Sequence, residues 1–247
     1  MSHESHIDLP TRLAAAAKDF REVAVGLDDE GLAARSSLPG WNRAYVVAHV
    51  EGISRAMERQ VQFAARGELI ELYDGGYEGR VRGIELRAQR PAAEQKKALE
   101  AALDSAVVVF KGLDGAAWRG RISYRDGTVH DGALALWREL VIHASDLNAG
   151  RTSLDWDDAF CRYLLGFLEA RVPEGLALKL QPLGQPPVTI GAEQGSARRT
   201  VVVTGLLQDI AAWLAGRVPL GGLNATAAAD GVALPDLLPW PSGVAPK

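Results

Sequence analysis

The stretch TVHDGALALWRELVIHASDL, residues 128–147, decides how the rest of the chain is read. At about 100 degrees per residue, Ala133, Leu136, Trp137, Leu140, Ala144 and Leu147 fall on one stripe, the pattern of a helix laid on a core. Glu139 and His143 stand one turn apart along the edge of that stripe, and Asp146 continues the edge. Arg138 and Ser145 face the opposite way and are expected in solvent. Asn148-Ala149-Gly150 closes the helix. An acid and an imidazole half-buried beside a core need partners. A divalent cation would satisfy both at once.

Upstream, the pattern stays helical. Leu9 to Val25 is rich in Ala, Leu and Arg, with Asp8 placed to cap its start and Gly26 to stop it. A break at Ser36-Ser37-Leu38-Pro39-Gly40-Trp41 leads to Asn42, a cap for a long amphipathic helix over residues 43–65. A loop around Gly75-Gly76 precedes helical stretches over 77–87 and 92–113. Four main helices with short connections suggest an antiparallel bundle over residues 1–150. Beyond Gly150 the character changes. A helix is expected over 156–171, then strands at 176–180, 188–190 and 200–204, separated by Pro and Gly turns. A helix over 206–214 precedes a Gly- and Pro-rich tail containing the Ala-rich run 224–230. The expected fold class is therefore α+β, a helical bundle followed by a small α+β domain over 151–247.

Bulk composition narrows the function. The 247 residues are 47% hydrophobic and 23% charged, enough for a real core, and the net charge is −4. A general binder of nucleic acid or anionic membrane carries a basic excess, so neither partner is expected. The single cysteine, Cys161, rules out an internal disulfide and a Cys-rich zinc site, and its apolar helical setting favours an inert buried thiol. The start, Met1-Ser2-His3-Glu4-Ser5-His6, lacks the basic and apolar run of a secretion signal, and no segment reaches the roughly 18 apolar residues of a membrane span. A cytoplasmic protein is expected. Its oligomeric state is left open.

A third candidate ligand lies on the long second helix. Tyr45, Val46, Ile53, Ala56 and Met57 form its apolar face with His49 at the centre, while Glu51, Arg55, Glu58 and Gln62 take the far side. Two histidines and one carboxylate with an open position form a catalytic zinc arrangement, and facing bundle helices are a natural place for it. The pattern alone leaves two readings open, a metal site and an ordinary core histidine beside a Glu–His salt contact.

Longer motifs add to this. Leu38-Pro39-Gly40-Trp41 followed by Val46-Val47-Ala48-His49-Val50-Glu51-Gly52 resembles the N-terminal signature of the mycothiol-dependent maleylpyruvate isomerase family, within the DinB-like metal-binding bundles. Trp137 to Leu147 resembles that family's second metal motif, and Tyr73 through Arg80 to Ile84-Glu85 its intervening active-site segment. Gly205 to Gly216-Arg217, with Leu237-Leu238-Pro239-Trp240, is similar to its smaller second domain. Asn42-Arg43-Ala44 replaces the family's threonine-led helix start and keeps an equivalent cap. The resemblance implies His49, Glu139 and His143 as ligands of a divalent metal, zinc by preference, and a cleft between two domains where mycothiol and substrate meet. It assigns Arg217 to the active site and places Arg80 facing the cleft, both candidates for catalysis and for binding the thiol. Asp146 is expected to support the site rather than ligate, and Trp41 and Trp137 to be core aromatics.

The implied chemistry is reversible thiol addition. Zinc favours a thiolate, which adds to the cis double bond of maleylpyruvate; the bond, now single, rotates, and the thiol leaves to give trans fumarylpyruvate. An arginine fork suits a substrate carboxylate. Two alternatives share the motifs: a mycothiol S-transferase acting on another electrophile, and a non-catalytic metal-binding regulator.

Overall fold

In the computed structural model, residues 8–192, 198–228 and 230–241 are described. The N-terminal residues read above for a secretion signal lie outside these ranges. The chain divides into two compact units between Arg151 and Thr152.

The first unit is built from α1 (Leu9–Val25), α2 (Asp29–Ala33), α3 (Arg43–Ala64), α4 (Gly76–Ala88), α5 (Ala92–Lys111) and α6 (Val129–Asp146). Capping fixes where the long helices begin. Asp8 accepts from the Thr11 amide at 3.3 Å and Asn42 from the Tyr45 amide at 3.1 Å. Thr128 and Asp131 form a reciprocal capping box at the start of α6. Helices α1, α3, α5 and α6 make the bundle: α3 packs on α5 and α6, and α1 packs on the same two. Its interior is filled by Leu13 and Phe20 of α1, Val46 and Met57 of α3, Leu99, Leu103 and Phe110 of α5, and Leu136 and Leu140 of α6. Two elements differ from the sequence reading. The short α2 escaped notice because five residues show no periodicity, and α4 lies against α3 as an addition to the bundle.

The second unit holds α7 (Asp158–Leu168), α8 (Leu207–Leu214) and a five-stranded sheet. Its strands are β1 (Leu176–Pro182), β2 (Val188–Gly191), β3 (Arg199–Gly205), β4 (Asn224–Ala227) and β5 (Asp230–Val232), in the order β2-β1-β3-β4-β5. The central pair β1–β3 is parallel, with Leu178 opposite Val201 and Leu180 opposite Val203, and all four side chains are buried. The other pairings are antiparallel. The tail thus contains β4 and β5 where the sequence suggested only an Ala-rich run, because strand pairing with β3 recruits residues that have little strand propensity of their own. Helices α7 and α8 pack together, and α8 touches β1 and β3. Cys161 on α7 is buried, and burial together with the carboxylates of Asp158 and Asp157 pushes its thiol pKa up to about 12, so it is inert near neutral pH. No helix among the described residues is long and apolar enough to cross a membrane.

Candidate metal centre

Helices α3 and α6 face each other inside the bundle and bring His49, Glu139 and His143 to one point. One ligand atom from each of the three lies within 4.8 Å of the others. Glu139 Oε2 is the hub, 2.8 Å from His49 Nε2 and 3.0 Å from His143 Nε2. The two imidazoles meet edge to face with centroids 4.8 Å apart. The four-residue spacing places Glu139 and His143 on one face of α6, while only the crossing of α3 over α6 supplies His49. His143 turns Nε2 inward because its other nitrogen, Nδ1, is held 2.8 Å from Asp146 Oδ2, a carboxylate buried to 1% exposure.

On the far nitrogen of His49, Arg80 of α4 approaches with Nη2 3.3 Å from Nδ1. A guanidinium can only donate, so Nδ1 accepts and the proton sits on Nε2, facing Glu139. With an ion at Nε2 the proton belongs on Nδ1, and Arg80 has to give up this bond. The segment that delivers Arg80 depends on two glycines. Gly75 enters α4 with φ +75°, and an added Cβ at Gly79 would meet the Asp74 carbonyl oxygen at 1.8 Å. Trp41 lies edge-on to the His49 ring at 5.7 Å, so this half-buried aromatic borders the cluster; Trp137 is buried in the core.

The electrostatics suit a cation. For Glu139, burial works against the charged form, but the bonds from His143 and His49 outweigh it and hold the carboxyl well below the usual range. Burial is the main influence on His49 and keeps it neutral, whereas for His143 the bonds to Asp146 and Glu139 overcome burial and raise its pKa to about 9. Two imidazole nitrogens and one carboxylate oxygen, converging with one histidine already oriented from behind, fit a divalent transition ion that keeps an open position.

Two side chains stand elsewhere than expected. Arg138 is buried at 5% exposure and donates from Nη2 to the Tyr124 hydroxyl at 3.2 Å, because the turn ahead of α6 folds back over that side of the helix. Glu51 is also buried, at 2%, and is paired with Arg55, Arg87 and Arg90, since α4 and α5 cover the supposed outer side of α3. Arg217 lies in the second unit just past α8, with Nη1 2.8 Å from the Ala215 carbonyl and its guanidinium 6.0 Å from the Trp240 ring centroid. Sequence reasoning passed over Tyr124 and Gln60. Gln60 alone carried a signal, standing eleven residues after His49, three turns along the same face of α3.

This combination, a helical bundle with an internal His–Glu–His cluster and a small α+β unit after it, defines the class of the molecule. Within that class the chain belongs to a known family of enzymes: residues 13–148 match the mycothiol maleylpyruvate isomerase N-terminal domain. Among solved structures it is similar to the crystal structure of the mycothiol-dependent maleylpyruvate isomerase and to that of a histidine-to-alanine mutant. Each is 22% identical, with 93% of this chain and 94% of that chain covered at a TM-score of 0.79. At that identity the likeness establishes the fold. No curated protein matches the chain.

Proposed function

We propose that the protein is a metal- and mycothiol-dependent cis-trans isomerase converting maleylpyruvate to fumarylpyruvate, with zinc held by His49, Glu139 and His143. The observation that carries this reading is the convergence of His49 Nε2, His143 Nε2 and Glu139 Oε2, with Asp146 behind His143. Family membership supports the choice of thiol and substrate. When bound, the ion supplies a Lewis acid that favours a thiolate over a thiol near neutral pH. The chain's own part is to keep Glu139 ionised, to present both Nε2 atoms and to place Arg80 beside the reacting groups. The thiolate adds to the substrate's cis double bond, and the displaced electron pair moves onto the substrate carbonyl as an enolate. Rotation follows about the resulting single bond, and collapse of the enolate re-forms the double bond and expels the same thiolate. Arg217, which the sequence resemblance implies for the active site, is a second candidate for binding an acidic group.

The test is direct. Metal-loaded protein incubated with mycothiol and maleylpyruvate is expected to form fumarylpyruvate while the thiol count stays constant. His49→Ala is expected to abolish turnover and strip most of the metal, read by elemental analysis. Retained metal and turnover would remove the ligand assignment. Stoichiometric thiol loss would mark an S-transferase, and zinc binding with no thiol-dependent turnover a regulator.

A further inference from the structure

Two phenols border the cluster, and each is backed by a guanidinium. Tyr73 stands beside the Arg80 guanidinium, which also reaches His49 Nδ1 at 3.3 Å. Tyr124 accepts from Arg138, the residue before Glu139 on α6. Both hydroxyls lie close enough to feel the Glu139 carboxylate. Burial, the largest influence on each, pushes both pKa values up, so the two phenols stay protonated. Arg138 is donor-only and occupies a lone pair of the Tyr124 oxygen, and the Arg80 cation beside Tyr73 is likewise unable to accept, so both O–H groups are left to donate elsewhere. Two neutral O–H donors reinforced by two cations are the chemistry of an anion site, carboxylate above all.

The two tyrosines sit on loops 51 residues apart, and one buried amide ties both loops down. Gln60 Nε2 donates to the carbonyls of Ile70 at 2.9 Å and Glu71 at 3.3 Å, just ahead of Tyr73. Its Oε1 accepts from the Ser123 amide at 2.8 Å and the Ser123 hydroxyl at 3.1 Å, directly before Tyr124. Every donor and acceptor of the amide is used on these two segments. Arg59 adds bonds to the Glu71 carbonyl at 3.0 Å and to Asp74 at 2.6 Å.

We propose that Tyr73 and Tyr124 form a specificity-determining pair that binds a substrate carboxylate beside the His–Glu–His cluster, and that Gln60 is the positioning residue holding both. This deepens the isomerase reading by selecting acidic electrophiles; it rests on that reading only in taking the cluster as the reaction centre. The test titrates metal-loaded full-length protein with succinate, an unreactive dicarboxylate, and with its neutral diamide succinamide. The native protein is expected to prefer succinate. Tyr73→Phe and Tyr124→Phe are each expected to weaken succinate binding about tenfold with metal content unchanged, while Tyr77→Phe, on the exposed side of α4, leaves it unaltered. Gln60→Met is expected to weaken binding in the native background and to cost nothing further when added to the double Phe variant. Absence of succinate binding by the native protein, or Phe variants that bind like it, overturns the pair. An undiminished Gln60→Met effect in the double Phe background overturns the positioning role. If maleylpyruvate is not turned over yet the Phe variants lose succinate, the isomerase reading falls and this inference stands.

Discussion

At the scale of single residues, His143 and Asp146 set the behaviour of the centre. With no ion bound, His143 has its pKa raised from 6.5 to about 9. Because the folded value is the higher one, the stability this proton contributes is in place below about pH 6.5 and fades as pH rises through about 9. The same proton has to leave Nε2 before an ion can bind there. His49 is neutral and Glu139 ionised across that range, so one proton is released per ion. The apparent metal affinity is therefore expected to climb roughly tenfold per pH unit between pH 7 and 9 and to level off above, as read by competition with a chelator of known affinity. Asp146→Asn keeps the shape but removes the charge behind His143. It is expected to weaken metal binding about 10- to 100-fold in the same assay, with little change in helix content.

At the scale of elements, the placement of α4 depends on one buried carboxylate. Glu51 of α3 accepts from Arg55 Nε at 3.0 Å and Arg90 Nη1 at 3.0 Å, and Arg87 Nε stands 3.6 Å away. The carboxylate is almost fully enclosed, whereas the guanidiniums keep part of their surface in water. Removing the acid leaves cations crowded at a buried spot, so Glu51→Ala is expected to lower unfolding stability by about 2 kcal/mol, a discount on fully buried pairs for that exposure. A denaturant midpoint measurement checks this. Since α4 carries Arg80, the same variant tests whether its docking matters for the centre. The long helices were legible because caps and apolar stripes agree: α1 runs from Leu9 to Val25 as its Asp8 and Gly26 signals require. The fate of the polar faces was not legible, because Glu51 and Arg138 look like solvent residues on any helical wheel until α4, α5 and the Tyr124 turn cover them.

At the scale of the molecule, all three candidate ligands and Asp146 belong to the first unit, whereas Arg217 belongs to the second. A chain ending at Arg151 is expected to fold as a helical bundle and to bind one equivalent of metal with near-native affinity. Having lost Arg217, it is expected to show no thiol-dependent turnover. Circular dichroism, metal titration and the isomerase assay separate these outcomes. Failure of the shortened chain to bind metal would mean that the centre draws on more than its own helices.

The sequence by itself settled the long helices of the bundle, the caps at Asp8 and Asn42, the switch to mixed α and β structure after Gly150, and the spacing of Glu139 and His143 one turn apart. These are local properties, written in spacings of two, three and four residues. Only the tertiary structure brought His49 to that pair across ninety residues of chain, turned the Arg138 side of α6 inward, and bound the Tyr73 and Tyr124 loops to one glutamine. Such contacts depend on how helices cross and loops fold back, and a one-dimensional pattern carries no record of which distant side chain will fill a given space.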